Sequence, residues 1–253
     1  MIKELYRKIS IHLISRKKFS GLKNYYNIFS GQTCAIIGNA PSLKVSDLEL
    51  LQKNRIFSFA TNRFYKIYDK TTFRPNCFVL SDSKMMREEY GNPSIEDSEY
   101  KMYGFEWDYL QFRKVYKKEK NNKTVIMYKK KLNLKDDKIT PTISNKIADG
   151  LVGGGYTTLF EIFQIARYMG FTKFILLGVE CSYTKDGSSH FYTDKKEKFD
   201  VYGHDMANKC QSIAFGEIAS QFGKNKEIKI INCSTNTKLE CFEIDSLSNI
   251  LIK

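Results

Sequence analysis

The sequence has few of the residues that build metal centres, disulfide scaffolds or membrane spans. It contains three histidines, and none of its six cysteines forms a Cys-x-x-Cys pair, so no zinc site is predicted. The cysteines are typical of reduced, buried side chains in a cytoplasmic protein. No apolar run approaches the roughly 20 residues that a membrane span needs. The N-terminus also lacks the uninterrupted apolar core of a signal peptide.

Acidic residues are in the minority, with 28 Asp and Glu against 41 Lys and Arg, a net charge of +13. This excess favours a polyanionic partner: nucleic acid, an anionic membrane or a phosphorylated small molecule. Nucleic acid is not expected, because no helix-turn-helix, zinc-finger or aromatic RNA-binding signature is present. Hydrophobic residues make up 42% of the 253 residues, which predicts a folded chain.

Positive charge is concentrated in the first 23 residues, which contain seven Lys or Arg and one acid, Glu4. Ile2, Leu5, Ile9 and Leu13 recur at helical spacing. Residues 1–30 are therefore predicted to contain a basic amphipathic helix, with two alternatives for its role. It binds an anionic membrane through residues 1–28, at the inner face of the cell membrane, or it packs on its own domain with a solvated basic face.

Short apolar segments alternate with helical patterns along residues 31–253. This alternation predicts a single α/β domain, Rossmann-like, with a mostly parallel sheet and helices on both faces. The predicted strands are 34–37, 55–60, 77–81, 124–128, 174–177 and 228–232, and the predicted helices are 46–52, 157–169 and 205–222. Residues 83–150 are less regular. They form a lid-like insertion that covers substrate, or surface helices with long loops.

The most informative motif is the Gly-Asn-Ala-Pro-Ser turn that follows the first predicted strand. Nucleotides bind at this position in open α/β sheets, although an ordinary strand-to-helix turn has the same pattern. Gly38 allows close backbone approach, Asn39 can donate and accept hydrogen bonds, and Ser42 can cap the next helix.

Other chemistry-bearing residues follow later strands. Asn62 and Arg63 end the second strand, and Asp82 ends the third, where it holds a ribose hydroxyl or caps a helix. An active-site loop is predicted over 179–203. His204 follows this loop, and its imidazole can act as a general base near neutral pH.

Five short motifs, in one order, resemble the bacterial sialyltransferases of glycosyltransferase family 42. They resemble equally the wider "protein of unknown function 115" group, described as pterin diphosphokinase-like. The motifs are residues 38–43, 62–65, 178–180, 187–189 and 202–204. The resemblance runs from about residue 32 to residue 243. It implies a Rossmann-like glycosyltransferase that moves an acidic ulosonic sugar, such as sialic acid or Kdo, from a CMP-activated donor.

The resemblance also implies roles for individual residues. His204 would be the catalytic base, and Tyr183 and His190 would assist the departing phosphate. Arg63 and Tyr202 would contact the acceptor or belong to a lid. The implied nucleotide-binding residues are Gly38, Asn39, Ser42, Asn62, Asp82, Glu180, Ser188 and Ser189.

The family would need no metal or cofactor, and no Asp-x-Asp motif is present in this chain. A glycan or lipid-linked acceptor is implied, in the synthesis of a bacterial surface polysaccharide such as capsule or lipopolysaccharide, and the enzyme could form a homo-oligomer.

The chain departs from the family pattern in three places, which leaves the donor open. His190 stands where the family has a tyrosine, the family's arginine near Leu151 is missing, and three glycines at 153–155 replace a Thr-Ser-Gly stretch. Two alternatives remain. One is a diphosphokinase that uses ATP and magnesium, with Asp82, Glu180 and Asp186 as metal ligands. The other is a non-catalytic scaffold that binds nucleotide sugars.

Overall fold

A parallel β-sheet forms the centre of the molecule. The computed structural model describes residues 2–15, 21–119, 123–129, 133–135, 138–184, 189–193 and 203–252. Its strands are β1 Thr33–Ile37, β2 Phe57–Thr61, β3 Cys77–Leu80, β4 Tyr100–Phe105, β5 Thr124–Lys129, β6 Asn133–Lys135, β7 Lys138–Thr140, β8 Leu151–Val152, β9 Lys173–Leu177, β10 Lys229–Asn232 and β11 Glu243–Ile244. β6 and β7 form a separate antiparallel hairpin.

Eight α-helices surround the sheet in the described part of the chain. They are α1 Ile2–Ser15, α2 Val45–Lys53, α3 Ser83–Glu89, α4 Pro93–Glu96, α5 Tyr109–Lys118, α6 Thr158–Tyr168, α7 Gly203–Phe222 and α8 Leu247–Ile252. None of them combines the length and apolarity needed to cross a bilayer.

The strand order is β11-β10-β9-β1-β2-β3-β4-β5-β8, and every neighbouring pair is parallel. The chain first builds outward from β1 through β5 to β8 on one side. It then crosses to β9 and builds outward on the other side. The topological switch point therefore lies between β1 and β9, where open α/β sheets bind ligands beyond the carboxyl ends of the strands.

Each face of the sheet is covered by its own apolar layer. Successive side chains of β1 alternate between the two layers, as a pleated strand requires. One layer contains buried residues of α6 and α7, such as Phe163 and Phe215. The other contains buried residues of α2 and α5, such as Leu48 and Phe112. The expected α/β architecture, with a parallel sheet and helices on both faces, is confirmed.

The predicted strands are present with shifted ends. The second strand was expected from residue 55 and begins at Phe57, because Arg55 adopts a left-handed conformation with φ 54° that ends the preceding turn. β4 was not expected. Its sequence includes Lys101, which is buried and forms an ion pair with Glu96 at 2.5 Å between Nζ and Oε2. Because this paired lysine interrupts the apolar pattern, the sequence of residues 83–150 did not reveal β4, which lies between β3 and β5 in the sheet.

The N-terminal segment is partly integrated into the core. In α1, Ser10 and Ile14 are buried, whereas Leu5, Ile9 and Leu13 are exposed. Leu22 and Tyr25, which follow α1, are also buried and belong to the apolar layer that contains Phe163 and Phe215. The C-terminal end of the segment 1–30 therefore packs into the core of the domain, although the sequence suggested a separate segment.

Two loops meet at the switch point, and glycine makes their contact possible. The backbone N–H of Gly38 donates to Leu177 at 2.8 Å, and that of Ala40 donates to Gly178 at 3.0 Å. A Cβ on Gly38 would lie far inside van der Waals contact with the carbonyl oxygen of Gly178. The glycine therefore serves the approach of the two loops to one another.

This contact predicts opposite effects for two glycine-to-alanine substitutions. Gly38→Ala should lower the free energy of unfolding by about 2–3 kcal/mol, because the added methyl group overpacks the two loops. Gly216→Ala, within α7 and with open space around its Cβ position, should raise it by about 0.5–1 kcal/mol through helix propensity. Urea unfolding of both variants measures the two values. A Gly38→Ala variant as stable as the parent would contradict the prediction.

Candidate functional site

A narrow cleft opens beyond the carboxyl ends of β1, β2 and β9. This is the edge of the sheet at which open α/β folds bind small molecules. The lining residues named in the sequence analysis are Gly38, Asn39, Asn62, Glu180, Tyr183, Ser189 and His190. The fold thus brings together residues that lie up to about 150 positions apart in the chain.

Asn39 is the polar side chain of the β1 turn. It is 8% exposed, and its Nδ2 donates to the Thr61 carbonyl oxygen at 3.2 Å. Its Oδ1 is buried and has no hydrogen-bond partner among the described residues. Because an unpaired buried acceptor is costly, this oxygen is suited to receive a donor from a ligand in the cleft.

Asn62 enters the cleft from the end of β2. Its backbone is left-handed, with φ 57°, a conformation that asparagine tolerates better than most residues. Thr61, directly before it, donates from Oγ1 to the Val79 carbonyl oxygen of the neighbouring β3 at 2.8 Å. Because Asn39 of the β1 turn also donates to the Thr61 carbonyl oxygen, the end of β2 is hydrogen-bonded to the chain on both of its sides.

Glu180 joins the β9 loop to the β1 turn. It is 5% exposed, and its Oε1 accepts from the backbone N–H of Ser42 at 2.7 Å. Its Oε2 accepts from the Ser182 hydroxyl at 2.8 Å. The expectation that Ser42 caps the next helix is wrong: α2 begins after Lys44 without a side-chain cap. The carboxylate instead binds the turn two residues before the helix cap, which the sequence spacing could not reveal.

Tyr183 and His190 form the far wall of the cleft. Their ring centroids lie 5.9 Å apart in an edge-to-face arrangement. Asn208 of α7 accepts from the Tyr183 backbone N–H at 2.8 Å and donates to its carbonyl oxygen at 3.0 Å. Gln211, one turn further along α7, donates to the Tyr183 hydroxyl at 2.9 Å. The phenol oxygen is therefore held in place by an amide donor.

The N-terminus of α6 also faces the cleft, through Thr157, Thr158 and Leu159. Thr157 caps the helix by accepting from the Leu159 backbone N–H, and Ser81 donates to the Thr158 hydroxyl at 3.0 Å. An eleven-residue helix offers partial positive charge and free N–H groups at this end. This feature was not predicted from the sequence, where its signal is a pair of threonines before a strongly apolar helix.

A buried ion pair lies one turn below Thr158. Glu161 is 1% exposed, and its Oε1 lies 3.4 Å from Nζ of Lys129. Burial raises the pKa of Glu161, and the positive charge of Lys129 cancels only part of this rise. Lys129 of β5 is in register with Val152. It therefore places a cation close to Leu151, the position near which the resemblance to the sialyltransferases implies an arginine that this chain lacks.

Several predicted site residues lie elsewhere or outside the described residues. Asp82 is exposed and caps α3, accepting from the backbone N–H groups of Lys84 and Met85, both at 2.8 Å. It is not among the residues that line the cleft, and its role towards a ribose stays a prediction. His204 lies in the first turn of α7, also outside that lining set. Ser188 and Tyr202 fall outside the described residues.

Arg63 is occupied by acidic neighbours. Its Nε pairs with Glu89 at 2.5 Å, and its Nη2 pairs with Glu88 at 2.6 Å. The Tyr65 hydroxyl also donates to Glu89, at 2.8 Å. Burial would raise the pKa of Glu89, but the hydrogen bonds from Arg63 and Tyr65 lower it on balance. An acceptor contact by Arg63 would have to compete with these pairs.

The cleft lining is mostly neutral in the part of the chain that the structure describes. Its polar side chains are mostly amides, hydroxyls and the rings of Tyr183 and His190, with Glu180 as its carboxylate. Within the same described ranges, no three His, Cys, Asp or Glu side chains are grouped so that they could hold a metal ion. This lining can bind a small polar ligand through directional hydrogen bonds.

Two solved structures are similar to the chain in fold. One is the MAf glycosyltransferase from Magnetospirillum magneticum AMB-1, with a TM-score of 0.53 and 17% identity. The match covers 90% of this chain and 37% of that one, so the chain spans little more than a third of that protein. The other is the sialyltransferase CstII from Campylobacter jejuni in complex with the substrate analogue CMP-3FNeuAc. It has a TM-score of 0.50 and 13% identity, and the match covers 83% of this chain and 85% of that chain.

A search of curated proteins gave no match. A family model does match, over residues 11–186, which is well over half of the chain. Its description is 6-hydroxymethylpterin diphosphokinase MptE-like. The matched range includes β1 with its Gly-Asn turn, the whole of α6, and the β9 loop with Glu180 and Tyr183. The chain therefore belongs to the 6-hydroxymethylpterin diphosphokinase MptE-like family.

Proposed function

We propose that the protein is a glycosyltransferase that moves an acidic ulosonic sugar from a CMP-activated donor to a glycan or lipid-linked acceptor. The observation that carries this proposal is the neutral, hydrogen-bonding cleft at the switch point, with the N-terminus of α6 facing it. A monophosphate needs few cationic partners, and a helix N-terminus can meet its charge. The likeness in fold to a sialyltransferase solved with a CMP-sugar analogue supports the same choice.

In the proposed complex, Asn39 and Asn62 hydrogen-bond the nucleotide, and the α6 N-terminus binds its phosphate. Ser188 and Ser189 complete the phosphate site. The three glycines at 153–155 precede α6, and a Cβ on Gly155 would overlap the ring of Phe160. This close packing fixes the start of the helix, so its N–H groups are oriented before the ligand arrives.

The proposed reaction is a single displacement at the anomeric carbon. The acceptor oxygen forms a bond to this carbon while the bond from the carbon to the phosphate oxygen breaks, and CMP leaves with the electron pair. His204 takes the proton of the acceptor hydroxyl. Tyr183 and His190 donate hydrogen bonds to the departing phosphate, and the amide of Gln211 holds the phenol in position for this role.

A second candidate is the diphosphokinase for which the family model is named. It would transfer a diphosphate group from ATP and would need magnesium. Of its three candidate ligands, Asp82 caps a helix and Glu180 binds Ser42 and Ser182. Asp186 falls outside the described residues. A non-catalytic scaffold that binds nucleotide sugars would use the same cleft without turnover.

We also propose that the enzyme is cytoplasmic and works at the inner face of the cell membrane, in surface polysaccharide synthesis. The basic N-terminal segment, residues 1–28, supports this location. Since Leu22 and Tyr25 are buried in the core, substitutions within α1 test the location better than deletion of the whole segment.

Nucleotide choice is the first test. Isothermal titration should show binding of CMP, and Asn39→Ala should weaken it about tenfold, because the ligand loses a buried hydrogen-bond partner. The control is Asn236→Ala, at an exposed position far along the chain. Tight binding of ATP with magnesium, together with no binding of CMP, would favour the diphosphokinase instead.

Dependence on a metal ion also distinguishes the proposed glycosyltransferase from the diphosphokinase, and this test does not rely on the nucleotide titration. Sugar transfer from the CMP donor should continue in excess EDTA, because hydrogen bonds and the α6 N-terminus stabilise the leaving phosphate. Turnover is followed by release of CMP. Complete loss of turnover in chelator, with recovery on adding Mg²⁺ or Mn²⁺, would refute this prediction.

Histidine substitutions test the assigned roles. His204→Ala should lower kcat by about 10²–10⁴-fold with little change in CMP affinity, because a positioned general base contributes that much. His190→Ala should instead weaken donor binding or slow departure of CMP. His12→Ala, exposed on α1, is the control for a soluble acceptor. A His204→Ala enzyme with near-normal kcat would transfer the role of base to His190 or Asp82.

A further inference from the structure

Helix α1 leaves an apolar stripe uncovered. Leu5, Ile9 and Leu13 are 59%, 50% and 38% exposed. They are spaced four residues apart, so they lie on one side of the helix. Ser10 and Ile14 are buried and define the side that packs on the domain. Three large aliphatic side chains in one exposed row form an apolar patch. Such patches are typical of surfaces that bind a membrane or another protein.

Helix α5 presents a basic outward face. Phe112 and Val115 are buried and face the core. Arg113 and Lys117 are exposed, four residues apart, and Leu110 is 67% exposed on the same side. The ten residues of α5 contain four basic side chains and no acidic one. This helix is therefore amphipathic, with its positive charge directed to solvent.

The two helices are adjacent, although more than 90 residues separate them in the sequence. α1 packs against α5, and Ile14 of α1 shares an apolar layer with Phe112 and Val115. The exposed apolar stripe and the exposed basic face therefore belong to two helices that pack against one another. Tyr6 and Tyr116, one from each helix, are also 37% and 43% exposed.

We propose that α1 and α5 together form a docking surface for an anionic lipid bilayer. Aliphatic side chains that enter the acyl boundary and cations that meet acidic headgroups are the two components of interfacial binding. Tyrosines at the boundary are typical of such surfaces, since they are apolar with one polar end. The net charge of +13 acts in the same direction. This proposal rests on the membrane location proposed above and not on the identity of the donor sugar, so its failure would leave the proposed reaction untouched.

The test is co-flotation of the full chain with vesicles of phosphatidylcholine and phosphatidylglycerol in equal parts, and with phosphatidylcholine alone. The parent should bind the mixed vesicles preferentially. Arg113→Gln/Lys117→Gln should lower the partition coefficient about 30-fold, because each cation near an anionic surface contributes about fivefold. Leu5→Ser/Ile9→Ser/Leu13→Ser should lower it by more than about tenfold.

The matched control is Lys224→Gln/Lys226→Gln, which removes two exposed charges elsewhere and gives the same net charge as the α5 variant. It should keep nearly full binding. Equal losses in the control and the α5 variant would show a non-local charge effect and overturn the proposal. Light scattering can give a second result that would overturn the proposal. If the α1 variant changes a dimer into a monomer while vesicle binding is unaltered, the surface joins two copies of the chain. Circular dichroism confirms that each variant is folded.

Discussion

The contact between the β1 turn and the β9 loop is the constraint on which the site depends. Gly38 and Ala40 donate backbone hydrogen bonds across the switch point to Leu177 and Gly178. Glu180 adds a third link by accepting from Ser42. These bonds fix Asn39 on one side of the cleft and Tyr183 on the other. A site of this kind is preorganised, because its ligand-facing groups are positioned by the sheet before any ligand binds.

The cleft depends on amides and hydroxyls far more than on charge. Asn39 has a buried acceptor without a partner among the described residues, whereas both oxygens of Glu180 are engaged within the protein. The nearby charged pair of Lys129 and Glu161 is internally compensated, and Arg63 is neutralised by Glu88 and Glu89. The high positive charge of the chain is therefore largely a property of its surface, and α5 is one place where it gathers.

Local patterns in the sequence were sufficient for six strands of the sheet and for part of the site. Apolar runs that end at Gly38 and Gly178 predicted two strands, and their parallel order predicted that the residues after them gather at one edge of the sheet. Contacts that depend on partners distant in sequence were not predictable. Ser42 looks like a helix cap until Glu180 is placed beside it. β4 was missed for a local reason, because Lys101, which is paired with the nearby Glu96, interrupts its apolar pattern. Gln211 carries no local signal at all, since its role exists only through Tyr183.

We propose that the cleft at the switch point holds a cytidine monophosphate whose phosphate meets the N-terminus of α6. The decisive measurement is a crystal structure of the protein grown with CMP. We expect the phosphate within hydrogen-bond distance of the first turn of α6 and a nucleoside donor group on the Oδ1 atom of Asn39. Density for the nucleotide away from Asn39 and α6, or a triphosphate with a bound metal in preference to CMP, would refute the proposal.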